Sequence, residues 1–83
     1  MRMRDEGIAW QELDGELVIL DSQRSVYLTT NEAGAMLAKL LVEERSMDDL
    51  TSALVAAYGI DRSAARADVE AFVSQLETKR LLR

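Results

Sequence analysis

The stretch Ile8-Ala9-Trp10-Gln11-Glu12-Leu13-Asp14-Gly15-Glu16-Leu17-Val18-Ile19-Leu20 decides the fold of this chain. On an extended backbone successive side chains point to opposite faces. Ile8 and Trp10 therefore share one face of a first strand over residues 8–13, and Ala9, Gln11 and Leu13 share the other. Asp14-Gly15 signals a two-residue hairpin, because a type I′ turn needs φ > 0 at both central positions. A second strand runs from Glu16 to Leu20. Its run Leu17-Val18-Ile19-Leu20 is apolar on both faces, the pattern of a strand in the middle of a sheet. Asp21 to Ser25 form a longer polar turn. A third strand follows from Val26 to Thr30, with Val26, Leu28 and Thr30 on one face and Tyr27 and Thr29 on the other.

Beyond residue 30 the apolar period changes to that of helices. Asn31 caps a first helix whose apolar positions are Ala33, Met36, Leu37, Leu40 and Leu41. Ser46-Met47-Asp48-Asp49 is a capping-box variant with Asp in place of Glu, and its acids suit the positive end of a helix dipole. The second helix offers Met47, Leu50, Leu54, Ala57 and Tyr58 to the core, together with Trp10 from the first strand, and Gly59 stops it. Asp61 or Ser63 caps a third helix carrying Ala65, Val69, Phe72, Val73 and Leu76, which ends near Lys79-Arg80. Leu81 and Leu82 form a short apolar tail that folds back. The order is βββααα. A three-stranded meander cannot bury its face alone, so the helices must cover it, and the expected class is α+β.

Composition narrows function from the other side. Eighty-three residues make a single domain, 1–83, with room for one core. There is no Cys, His or Pro. Disulfides, thiolate and imidazole metal sites and the Ser-His-Asp and Cys-His arrangements are therefore absent. No catalytic residues, cofactor or metal are expected, and the chain reads as a binding module rather than an enzyme. Net charge is −5, with two basic and six acidic side chains in residues 1–21, three of each in 22–45, and five and six in 46–83. No basic stripe exists for nucleic acid, nor a basic face for an anionic membrane. No run approaches a transmembrane span and the charged start lacks a signal-peptide pattern, so the expected compartment is the cytoplasm.

The run Leu17 to Asp21, then Val26-Tyr27-Leu28, then Asn31-Glu32-Ala33-Gly34-Ala35 resembles the PqqD-like family. So do Ser46 to Leu54, Tyr58-Gly59-Ile60-Asp61, and the ending Asp68-Val69 to Phe72, Leu76 and Leu81-Leu82. The resemblance covers roughly residues 8–82 and rests on the order and spacing of these short pieces, the Asn-Glu-Ala-Gly turn above all. It implies a fold like a winged helix-turn-helix and a precursor-peptide recognition element for ribosomally made, modified peptides. In that family the leader of the precursor adds as a strand to the free edge of the third strand, and its apolar side chains enter a groove beside the third helix. This chain lacks the Pro-containing turn common among members acting in coenzyme PQQ synthesis. Its acidic, Ala-rich, stand-alone form is more similar to the leader-binding partner of a split lasso-peptide protease.

The residues themselves suit such a role. In a meander the third strand can lie at an open edge, and an added peptide strand gains main-chain hydrogen bonds there while pockets at alternate side chains supply specificity. The candidate edge is Ser25, Val26, Tyr27, Leu28, Thr29 and Thr30. The candidate wall is Ala65, Asp68, Val69, Phe72 and Leu76, which lie on one side of the third helix. Asp68, bordering the apolar stripe, would accept a hydrogen bond from a leader. The plain alternative for the apolar members is core packing, and for Asp68 a solvated position. Arg62 and Arg66, four apart, are a solvated face or a contact for acidic leader residues. The expected partners are a precursor leader peptide and a leader peptidase or other maturation enzyme. The competing readings are a peptide chaperone for a radical SAM enzyme of the PQQ type, a DNA-binding winged helix, and a homodimer paired through the third-strand edge.

Overall fold

In a computed structural model that describes residues 1–83, Asp14 and Gly15 both adopt positive φ, 52° and 83°, as a type I′ hairpin requires. The turn joins β1 (Ile8–Leu13) to β2 (Glu16–Asp21), and β3 (Val26–Thr30) pairs antiparallel with the other side of β2. The helices are α1 (Glu32–Leu40), α2 (Met47–Tyr58) and α3 (Arg62–Thr78), so the fold is the α+β, βββααα arrangement expected. The register sets Trp10 opposite Ile19 and Ile19 opposite Leu28. That row, with Leu17, forms the face on which the helices pack. Leu37, Ala38 and Leu41 from α1 and its end, Leu50 and Leu54 from α2, and Ala65, Val69, Val73 and Leu76 from α3 complete the core.

The opposite face of the sheet is bare. Leu20 and Tyr27, paired across strands, remain exposed, as does Leu13. The apolar run 17–20 therefore does not mark a strand covered on both sides, because all three helices lie on the Leu17 and Ile19 face. Two further expectations are corrected. Trp10 is only half-buried against the core, and Tyr58 is 43% exposed, with Ala57 exposed beside it. Of α2 only Leu50, Thr51 and Leu54 are buried, so the helix outruns the layer beneath it by one turn.

Each helix starts on a side-chain cap. Asn31 accepts from the Gly34 N–H at 2.9 Å. Ser46 Oγ accepts from the Asp49 N–H at 3.0 Å while the Asp49 carboxylate accepts from the Ser46 N–H at 2.9 Å, a complete capping box. Asp61, rather than Ser63, caps α3, accepting from the Ser63 N–H and hydroxyl. These hydrogen bonds favour the ionised carboxylates. The Ser46 backbone N–H holds Asp49, and the Ser63 hydroxyl and N–H hold Asp61, below the ordinary aspartate value of 3.8.

The ends of the chain are more ordered than their charge suggests. Met3 is buried, its N–H donates to the Leu41 carbonyl, and residues 1–4 form an extended segment bridged to Leu82. Leu81 folds back into the core as expected. The α3 terminus is a Schellman turn: the Arg80 N–H bonds the Glu77 carbonyl at 3.0 Å and the Leu81 N–H bonds the Leu76 carbonyl at 2.9 Å. The left-handed position of that turn, usually Gly, is Arg80 with φ 55°. Asp21, assigned from sequence to a polar turn, is fully buried. It accepts from the Gln23 and Arg24 N–H groups and from Arg4 Nη2 at 3.0 Å. No helix is long and apolar enough to cross a membrane.

Candidate functional site

The sheet order β1-β2-β3 leaves one edge of β3 free. An unpaired edge presents a row of backbone N–H and C=O groups to any extended chain that approaches. Beside its Thr30 end lies a groove of about 360 Å³ between β3 and α3. Thr29 and Thr30 form one wall; Asp68, Ala71, Phe72 and Gln75 of α3 form the other; Gly34 and Leu37 of α1 and Leu54 of α2 close the floor. At the other end of the edge a shallower hollow follows Ser25 to Thr29 and is closed by Lys79.

The local sequence builds this geometry. Gly34 sits where the start of α1 comes closest to the groove. A Cβ there would lie 3.0 Å from Thr30 Cβ and 3.2 Å from a Phe72 ring carbon. The Asn-Glu-Ala-Gly turn thus has two roles: Asn31 caps the helix, and Gly34 lets β3, α1 and Phe72 meet closely. Thr30 turns its hydroxyl inward, donating to the Leu17 carbonyl at 3.2 Å, which locks the end of the edge to β2. Asp68 stands exposed on the groove rim.

The structure divides the residues expected from sequence. Ser25, Val26, Tyr27, Leu28, Thr29 and Thr30 all lie along the free edge. Thr29, Thr30, Asp68 and Phe72 line the groove. Ala65, Val69 and Leu76 do not: they are fully buried in the core behind it. Ala71, Gln75, Gly34 and Lys79 were missed. The α3 positions follow a second helical series, 68, 71, 72 and 75, whose mixed polarity hides it from a search for apolar stripes. Arg62 and Arg66 lie exposed, and both reach the single Asp48 carboxylate across the α2–α3 interface.

A free strand edge beside a half-apolar groove is the architecture of a protein that accepts an extended chain. Residues 16–82 match the family described as coenzyme PQQ synthesis protein D (PqqD), and the chain belongs to that family. Two solved structures match its fold. TbiB1 in complex with the TbiA(beta) leader peptide is similar with a TM-score of 0.86 and 26% identity, covering 100% of this chain and 95% of that one. Lasso peptide synthetase B1 complexed with the leader peptide is similar with a TM-score of 0.79 and 27% identity, covering 94% and 91%. No curated protein matches the sequence.

Proposed function

We propose that this chain is a non-catalytic recognition domain, one unit over residues 1–83, that binds the leader segment of a ribosomally synthesised precursor peptide and presents it to a maturation protease or modifying enzyme in lasso peptide biosynthesis. The leader adds as a strand to the Ser25–Thr30 edge of β3. One of its apolar side chains fills the groove against Phe72, over a floor of Gly34, Leu37 and Leu54, with Ala65, Val69 and Leu76 in the core behind. Asp68 accepts a hydrogen bond from the leader at the rim. The observation that carries this reading is the free β3 edge opening onto the α3 groove, in a fold that two solved structures show with a leader peptide bound.

Holding a disordered leader beside an enzyme raises the local concentration of the segment to be cut or modified. No general base, nucleophile or metal is needed for that work. Within α3 two cations, Arg62 and Arg66, stand against three acids, Asp68, Glu70 and Glu77, so the helix lacks the basic stripe that phosphate binding requires. The family match keeps a second reading in play, a chaperone for a PQQ precursor. Titrating the fluorescently labelled TbiA(beta) leader peptide and a labelled PQQ precursor peptide into the protein separates the two. Saturable binding of the first alone supports the lasso assignment, binding of the second alone moves the chain to the PQQ pathway, and binding of neither overturns leader recognition.

A further inference from the structure

The chain has ten Lys and Arg residues. Six form ion pairs: Arg2 with Asp5, Arg4 with Asp21, Lys39 with Glu12, Arg45 with Glu43, and Arg62 and Arg66 with Asp48. The remaining four, Arg24, Lys79, Arg80 and Arg83, pair with no carboxylate, and all four lie at one end of the molecule. Lys79 closes the hollow along the Ser25 end of β3, and Arg24, Arg80 and Arg83 line the adjoining depression with Glu77 as its one acidic side chain. In a protein of net charge −5, the four cations without a carboxylate partner thus gather where the free edge ends.

The cluster is built rather than scattered. Arg4 donates through Nη2 to the buried Asp21 carboxylate and through Nη1 to the Arg80 carbonyl at 2.8 Å. Asp21 in turn accepts from the Arg24 N–H. One guanidinium therefore ties the β2–β3 turn bearing Arg24 to the α3 terminus bearing Lys79 and Arg80. Arg80 also occupies a left-handed position that favours glycine, so the turn does not select a long cationic side chain there.

We propose that Arg24, Lys79 and Arg80 form an anion-recognition end of the β3 edge, which takes an acidic stretch of the bound peptide lying just beyond Ser25. This rests on the strand-addition reading and adds a polarity to it. The Thr30 end takes an apolar side chain, and the Ser25 end takes carboxylates. A peptide with its acidic and apolar parts in the reverse order is refused, which fixes the register along a backbone that is otherwise blind to sequence.

The test uses labelled TbiA(beta) leader peptide and copies in which a Glu-Glu pair, or a Gln-Gln control, is moved stepwise along it. Anisotropy titrations are run against the wild type and the triple variant Arg24→Gln, Lys79→Gln, Arg80→Gly. Glycine suits the Arg80 turn, so the triple variant is expected to fold, checked by an unreduced melting temperature. The expected result is one window, on one side of the groove-filling segment, where Glu-Glu binds about five- to tenfold tighter than Gln-Gln. That gain disappears in the triple variant and at high salt. Binding with equal affinities at every window, or a gain that survives in the triple variant, overturns the acidic-end assignment while leaving strand addition intact. So does a triple variant that binds every peptide normally but no longer retains the maturation enzyme, since the cluster then serves that interface. No binding of any peptide overturns strand addition and this inference together.

Discussion

Two stripes run down α3, and they do different things with the same helix. Ala65, Val69 and Leu76 are fully buried and hold the helix on the core. Asp68, Ala71 and Gln75, rotated by about 90° on a helix of 3.6 residues per turn, face the groove. Phe72 stands between the two and belongs to both: it is 8% exposed and lines the groove with one side of its ring. An apolar period reports burial, and a binding surface that must be wet when empty breaks that period. The groove stripe is therefore legible only once the helix has been placed against β3.

The largest effect expected from separating the stripes is on the core side. Leu76→Ala removes a fully buried side chain, and the cavity left behind costs about 3 kcal/mol of folding stability. Chemical denaturation measures it directly. Leader affinity extrapolated to the folded fraction should be unchanged. A tenfold loss of affinity in fully folded Leu76→Ala protein would show that the two stripes are not separable. Ala71→Glu is the converse. Ala71 is exposed on the groove wall, so the melting temperature should stay within a few degrees of wild type. Filling the groove with a charged side chain should weaken leader binding by about 2 kcal/mol, because an apolar anchor would have to displace it. Wild-type affinity in this variant would place the peptide elsewhere on the edge.

Gly34→Ala probes the floor that joins the stripes to β3. Alanine gains about 1 kcal/mol of helix propensity over glycine, and the new Cβ set 3.0 Å from Thr30 Cβ offsets it. Stability should therefore change by less than about 1 kcal/mol. The methyl also presses on Phe72, so affinity should fall by a smaller factor than for Ala71→Glu. Calorimetric titration would show whether the change is felt in the groove alone; an unaltered affinity would mean that Phe72 yields without moving the wall.

The order of elements and nearly every boundary could be read from residues with local meaning. Asp14-Gly15 demands its turn, Ser46 and Asp49 need only each other, and Gly59 ends α2 by its own φ of 63°. What could not be read depends on residues far apart in the chain. Asp21 looked like a turn residue because its partner Arg4 lies seventeen positions away. Met1-Arg2-Met3-Arg4 looked like a charged end because its hydrogen bonds run to Leu41 and Leu81. Tyr58 kept the helical period of Leu54 but ran past the layer that would bury it. Lys79 was visible only as a helix-terminal cation until the structure set it beside Ser25.

The smallest effect lies in a region that faces neither core nor groove. Asp49 and Asp61 cap α2 and α3, and both are held below the ordinary aspartate value by hydrogen bonds to Ser46 and Ser63. A carboxylate with a lower folded than unfolded pKa takes up fewer protons in the native state, so stability rises with pH across that interval. Its contribution is complete above the unfolded value of 3.8 and is lost as pH falls through the lower folded values. Both groups are fully exposed, so the acid limb of the melting-temperature profile should be shallow. Asn accepts a hydrogen bond at either position without titrating. The double variant Asp49→Asn, Asp61→Asn should therefore flatten that limb while leaving leader affinity at neutral pH unchanged. A limb as steep as the wild type's would assign the acid sensitivity to other carboxylates.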